Sequence, residues 1–196
     1  MIVLYLGPKC EPIEHHLTSK GHNVIQTEQP FNTKFLEINN INFGISYRYR
    51  HIIKKKEIDW FCGRLINLHI AFLPFGRGAD PNIWSYLENT PKGVTIHKVD
   101  EGIDTGPILV QRNVHIEFSH DTLDSSYGKL SKAIELLFIK NCEGLLNEMI
   151  EAKPQNCNEG SFHYSKEKEA YTHLWAEKGW ETPVAELIGK AIQPDS

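Results

Sequence analysis

This 196-residue chain is narrowed first by what it lacks. Its four cysteines, Cys10, Cys62, Cys142 and Cys157, form no Cys-x-x-Cys pair. Neither a zinc ribbon nor a disulfide framework follows, and a reducing cytoplasm suits such scattered thiols. No apolar run approaches the roughly 18 residues that a transmembrane helix needs. The opening Met1-Ile2-Val3-Leu4-Tyr5-Leu6 has no basic leader, so neither export nor a membrane anchor is expected. Charge of one sign is scarce: 21 Lys and Arg against 25 Asp and Glu give −4. That balance offers no electrostatic reason for a nucleic-acid partner. Internal repeats and low-complexity segments are missing. The turn Gly7-Pro8-Lys9-Cys10 lacks the later glycines of a dinucleotide fingerprint, which removes NAD and FAD. The ten histidines include no i, i+4 pair with a Glu between, and His15 and His16 point apart on a helix. No metal site is expected.

What remains is an ordinary globular composition, 40% hydrophobic and 23% charged, enough for one domain with an adequate core. Ile2 to Leu6 is a short continuous apolar run, the pattern of a parallel strand covered on both faces. A helix over Glu11 to Lys20, ended by Gly21, and a strand over Asn23 to Thr27 continue a doubly wound α/β opening. Further strands are predicted at Ile41 to Tyr47, Leu65 to Ala71, Gly93 to Val99 and Ile108 to Val114. The last two flank a short loop and read as an antiparallel pair at the sheet edge. A short helix over Asn82 to Glu88 and a long one from Asp121 to about Met149 complete the pattern, the latter with apolar residues at helical spacing. Between Arg48 and Lys56 stand five Lys or Arg, including Arg48 and Arg50. This run reads as a solvated helix face and connector, or as a rim that attracts an anionic ligand.

The chemistry concentrates on one stretch, Ile66-Asn67-Leu68-His69-Ile70. Asn67 and His69 are two apart on a strand and therefore leave it on one side. Burying an amide and an imidazole together is costly unless they meet partners. Asp104, in the glycine-containing loop Asp100-Glu101-Gly102-Ile103-Asp104-Thr105-Gly106, would supply one. No Ser-x-Gly elbow accompanies the trio and no cysteine is placed as a nucleophile. An amide donor, an imidazole and a carboxylate suit oxyanion stabilisation and proton transfer while an external nucleophile attacks a carbonyl. Taken singly, each residue also has a plain structural reading: a satisfied strand histidine, or an Asp that forms a turn before Thr-Gly.

Ile66-Asn67-Leu68-His69 through Leu73-Pro74, then Arg77-Gly78, Lys92 to His97, and Asp100-Glu101-Gly102-Ile103-Asp104-Thr105-Gly106-Pro107-Ile108 together resemble the folate-dependent formyltransferase family. That family includes the glycinamide ribonucleotide, methionyl-tRNA and sugar-nucleotide N-formyltransferases. The resemblance implies a Rossmann-like α/β formyltransferase fold, a mostly parallel sheet flanked by helices. A catalytic domain over 1–153 and a short carboxy-terminal extension over 154–196 are expected. It implies 10-formyltetrahydrofolate as co-substrate, no metal, and an Asn–His–Asp triad that falls on Asn67, His69 and Asp104. Gly102, Ile103 and Thr105 would lie near the folate ring. The family usually places a longer stretch before its Asn-x-His than the 66 residues found here, so the amino-terminal half is shortened.

Two further likenesses bear on the acceptor. Ser46 to Ile53 and Gly160-Ser161-Phe162-His163-Tyr164-Ser165-Lys166 resemble elements of the sugar-nucleotide enzymes. The expected acceptor is a nucleotide-linked amino-deoxysugar such as a dTDP-4-amino-4,6-dideoxyhexose, used in surface-polysaccharide or O-antigen assembly. Arg48, Arg50, Arg77 and Lys166 are the candidates to meet its diphosphate. Methionyl-tRNA or glycinamide ribonucleotide is the alternative acceptor, and a folate- or nucleotide-binding module without catalysis is the alternative class. The tail with Trp175 and Trp180 offers a surface for a homodimer.

Overall fold

The computed structural model describes residues 1–191. Its element order is β1 (Ile2–Leu6), α1 (Glu11–Ser19), β2 (Asn23–Thr27), α2 (Thr33–Ile38), β3 (Phe43–Ser46), α3 (Lys55–Phe61), β4 (Leu65–His69), β5 (Arg77–Gly78), α4 (Pro81–Leu87), β6 (Gly93–Lys98), β7 (Ile108–Asn113), α5 (Leu123–Leu146) and β8 (Phe162–His163), followed by short 3-10 turns. Six strands form one sheet in the order β2-β1-β3-β4-β6-β7, and β5 pairs with β8 in a second, two-stranded one. Strands β2, β1, β3 and β4 are parallel, in a register that sets Leu6 beside both Thr27 and Ser46, and Ser46 beside Asn67. Strand β6 runs against them: Val99 N–H donates to Leu65 O, which places His97 across from Asn67. β7 reverses again, with Lys98 N–H donating to Pro107 O at one end and Val114 N–H to Lys92 O at the other. The antiparallel edge pair expected from the alternating sequence is present. Among the described residues no helix is long and apolar enough to cross a membrane.

Contacts divide the chain into two compact units. Met1–His69, Ile96–Val110 and Ile134–Pro154 form the first; Ile70–Thr95, Gln111–Ala133 and, among the described residues, 155–191 form the second. Residues 155–191, within the stretch expected as a short extension, therefore group with two earlier segments of the chain. In the first unit, one core cluster joins Leu4, Leu6, Leu36, Ile41, Phe61 and Leu65, all nearly or wholly buried. In the second, Ile83, Trp84, Tyr86 and Leu87 of α4 bury against Ile116, Leu123, Val184 and Leu187. Burying such side chains is worth roughly 1.5–3 kcal/mol each, which is why the 180s segment stays bound with only short 3-10 turns of its own.

Local chemistry explains the helix starts. Glu14 accepts from Cys10 N–H ahead of α1, whose first turn carries Pro12. Asn32 caps α2 by accepting from Phe35 N–H. The Asp121 carboxylate, just before α5, accepts from Glu117 N–H, Ser125 Oγ and Lys129 Nζ. Burial would raise its pKa, yet those three donors hold the carboxyl below the ordinary value. Lys92 donates to Ser85 O and Thr90 O and so closes the carboxy-terminal end of α4.

Candidate active site

The first unit assembles the three residues picked out by sequence. Asn67 and His69 leave β4 on one face, and Asp104 reaches them from the loop between β6 and β7. Asn67 Nδ2 donates to Asp104 Oδ1 at 3.0 Å. His69 Nδ1 lies 3.8 Å from the same oxygen, and both side chains are about nine-tenths buried, at 9% and 12% exposure. The Asp104 loop is organised by Asp100, whose Oδ1 accepts from Gly102 N–H (3.1 Å) and Thr105 Oγ1 (2.7 Å). Gly106 then passes so near β6 that a Cβ there would overlap the Lys98 carbonyl. Asp104 itself sits at φ +54°, a left-handed conformation that Asp tolerates better than most side chains. A loop bent this tightly presents its carboxylate in one place.

A fourth residue completes the cluster. His97, 2% exposed, places Nε2 at 3.4 Å from Asp104 Oδ1 and at 3.3 Å from Asn67 Nδ2. Its Nδ1 lies 2.8 Å from Lys98 O. A carbonyl only accepts, so Nδ1 carries a hydrogen, and a neutral ring leaves Nε2 as an acceptor. Asn67 can then give one amide hydrogen to Asp104 and the other to His97. That commitment fixes the orientation of the amide. The His69 and His97 rings are edge to face with centroids 6.2 Å apart. The sequence alone gives His97 no role at the site: Gly93 to Val99 reads as a half-buried strand, and Lys92 to His97 enters only as part of the family resemblance. The available signal was antiparallel pairing of β6 with β4, which sets a polar residue opposite Asn67.

The remaining candidates are spread out. Gly102, Ile103 and Thr105 share the Asp104 loop; Ile103 exposes its side chain, whereas the Thr105 hydroxyl is used on Asp100. Arg48 and Arg50 are exposed on the connection between β3 and α3. The Arg48 guanidinium lies 4.6 Å from the centroid of the Tyr47 ring, whose hydroxyl donates to Glu135. In the second unit, Arg77 donates from Nη2 to Cys157 O at 3.1 Å, so its guanidinium already ties two segments together. Lys166, also in the second unit, is exposed. Among the described residues no group of three His, Cys, Asp or Glu side chains could hold a metal ion.

A carboxylate flanked by an amide and two imidazoles, on regular strands and a fixed loop, is suited to proton transfer beside a developing oxyanion. The family model described as formyl transferase matches residues 13–141, which include all four of these side chains.

The chain belongs to the formyl transferase family. Methionyl-tRNA formyltransferase of Thermodesulfovibrio yellowstonii is 35% identical over 62% of this chain and 40% of that protein. The dTDP-4-amino-4,6-dideoxyglucose formyltransferase of Mycobacterium bovis is 32% identical over 57% of this chain and 47% of that one. The chain thus spans less than half the length of these curated relatives. The crystal structure of the formyltransferase PseJ from Anoxybacillus kamchatkensis, in complex with UDP-4,6-dideoxy-4-formamido-L-AltNAc and tetrahydrofolate, superimposes with a TM-score of 0.92 at 44% identity. That match covers 97% of this chain and 100% of that one, so the compact amino-terminal half has a solved counterpart.

Proposed function

We propose that this chain is an N-formyltransferase that moves a formyl group from 10-formyltetrahydrofolate to the amine of a nucleotide-linked amino-deoxysugar. The observation that carries this reading is the end-to-end likeness to an enzyme that holds tetrahydrofolate and a formylated UDP-sugar. On the same ground, the acceptor is read as a UDP-4-amino-4,6-dideoxy sugar, with uridine in place of the thymidine expected from the sequence. The product is read as a building block for surface polysaccharide, made in the cytoplasm by a protein that works without metal.

The folate would supply a formyl carbon on N10. The bond from the sugar nitrogen to that carbon forms, the bond from carbon to N10 breaks, and a proton passes from the sugar amine to N10. Nδ1 is the ring nitrogen of His69 that faces Asp104, so the proton exchange with substrate falls to Nε2. Asp104 orients the ring and offsets its charge. Of the two Asn67 amide hydrogens, the one on His97 makes the longer bond, and it is the one read as turning to the oxyanion. Gly102, Ile103 and Thr105 are read as the edge against the folate ring. The exposed Ile103 side chain fits that assignment, since a flat heterocycle needs apolar cover. Arg48 and Arg50, both exposed, are read as the cations that meet phosphate.

The test is incubation of the purified chain with 10-formyltetrahydrofolate and UDP- or dTDP-linked amino sugars, followed by mass spectrometry. A formylated UDP-sugar is expected. Formylated methionyl-tRNA in its place would assign the chain to the other branch of its family, and tetrahydrofolate release without any formylated amine would make it a hydrolase.

A further inference from the structure

Within the second unit, residues 89–92 and residues 113–118 line an open cavity of about 980 Å³. That volume suits a small molecule. Both walls are fixed: Val114 N–H donates to Lys92 O at 2.9 Å, and Glu117 N–H donates to Asp121 Oδ2 at 2.7 Å. None of these residues is used in the proposed reaction. The cation of the cavity is Lys92, which is half-buried. Two of its three ammonium hydrogens go to Ser85 O at 2.7 Å and Thr90 O at 2.6 Å. Its Nζ stands 5.1 Å from the Tyr86 ring centroid and 5.6 Å from that of Phe118, and the two rings meet edge to face. Carbonyls and ring faces soften a charge without cancelling it.

Among the described residues no carboxylate pairs with Lys92. Glu117, the carboxylate that lines the cavity, lies instead 3.4 Å from His120 Nδ1. Burial, with no charge to oppose it, pushes the Lys92 ammonium down to about 8. Charges taken out of water are ordinarily paired. Capping α4 accounts for the two carbonyl bonds, but it requires neither a cavity nor a desolvated head. The rest of the lining is apolar. Phe118 exposes 40% of its surface, and Pro91, Val114 and the buried Ile116 continue it. One cation with one uncommitted hydrogen matches one carboxylate, whereas a phosphate would call for more donors. We propose that Lys92 and Phe118 bind a small monocarboxylate with a flat apolar body, its carboxylate on the ammonium and its body against the ring.

The test is NMR titration of the full chain with benzoate as the probe, read at the backbone amides of the two cavity walls. Saturable shifts are expected there, with a Kd of about 1 mM at about pH 7. Benzamide, flat but neutral, and inorganic phosphate, charged but without an apolar body, should each bind at least about tenfold more weakly. At about pH 9 roughly a tenth of the free ammonium stays protonated, so benzoate should weaken about tenfold. The other titratable groups facing Lys92 are His115 and Glu117 of the opposite wall and Tyr86 of α4, the last pushed by burial up to about 12. Lys92→Arg stays charged at both pH values, so its benzoate affinity should not change between them, which separates Lys92 from those groups. Lys92→Met should reduce benzoate to the level of benzamide; if that variant fails to fold, the Lys92→Arg comparison carries the test. Phe118→Ala, on an exposed side chain, should weaken benzoate by about threefold to tenfold. Absence of saturable shifts in the wild type would overturn the proposal. So would equal binding of benzoate and either control, equal affinity of the wild type at both pH values, or unchanged affinity in Phe118→Ala.

Discussion

Two histidines, His97 and His163, show two ways of holding a polar cluster. His97 sits on a six-residue strand, bonds the carbonyl of its own neighbour and meets Asn67 through sheet register. His163 sits on a two-residue strand and depends on carboxylates from α4's carboxy-terminal cap and from the turn that follows. Backbone pairing sets Asn67 and His97 opposite one another, and Asp104 reaches them on a loop held by Asp100. Side-chain charges position the second, so it is open to disruption by single substitutions and by acid.

The largest effect that would test this contrast comes from the first cluster. His69→Ala or Asp104→Asn should lower kcat/KM for formyl transfer by about a thousandfold, the range for losing a general base or its orienting carboxylate. The thermal midpoint should stay near that of the wild type, as a check that folding survives. His97→Phe keeps ring volume and removes the acceptor from Asn67. It should lower kcat by about tenfold to a hundredfold with little change in either KM, since a misdirected amide costs orientation rather than binding. A kcat equal to that of the wild type would reduce His97 to core filling.

Smaller effects belong to the second cluster. At Gly160 a Cβ would overlap the Pro74 carbonyl, so Gly160→Ala must shift the start of this segment. A loss of about 1–3 kcal/mol in chemical denaturation is expected, the usual cost of overpacking. Gly128→Ala is the control: Gly128 is exposed on α5, and a Cβ there would meet nothing within 4 Å. It should stabilise by about 0.5–1 kcal/mol. Acid should act more gently still. The Tyr164 N–H first, and His163 next, hold the Glu167 carboxyl below its ordinary value. A depressed carboxylate contributes stability that is complete above the ordinary value and is lost as pH falls through the folded one. The protection of Tyr164 N–H against hydrogen exchange, relative to its intrinsic rate, should therefore fall below about pH 4 while β4 and β6 remain protected, a window set by the usual carboxylate range. Exchange that rises equally in both regions would remove the distinction between them.

The same contrast explains what could be read from the sequence. Strands β1, β2, β4, β6 and β7 fall where continuous or alternating apolar patterns placed them, and Asn67 with His69 followed from two-residue periodicity. Asp104 needed a partner on a loop, and the loop's glycines marked it. Helix α2 was not anticipated, because Thr33 to Ile38 is a single turn and a half whose main signal is the cap from Asn32. Strands β5 and β8 are two residues each, and their pairing joins Arg77 to Phe162 across the chain, beyond any local pattern. His97 needed the direction of β6 to be known. The bonds of His163 depend on Glu88, 75 positions earlier, and no periodicity reports that.

The central claim is a reaction, formyl transfer to a nucleotide-linked amine at Asn67, His69 and Asp104. The most direct measurement is mass spectrometry of a UDP-4-amino-4,6-dideoxy sugar after incubation with 10-formyltetrahydrofolate and either wild-type chain or the folded His69→Ala variant. The account predicts one formyl group added by the wild type and essentially none by the variant. Equal formylation by both would contradict it, as would an unmodified amine in every nucleotide sugar tried.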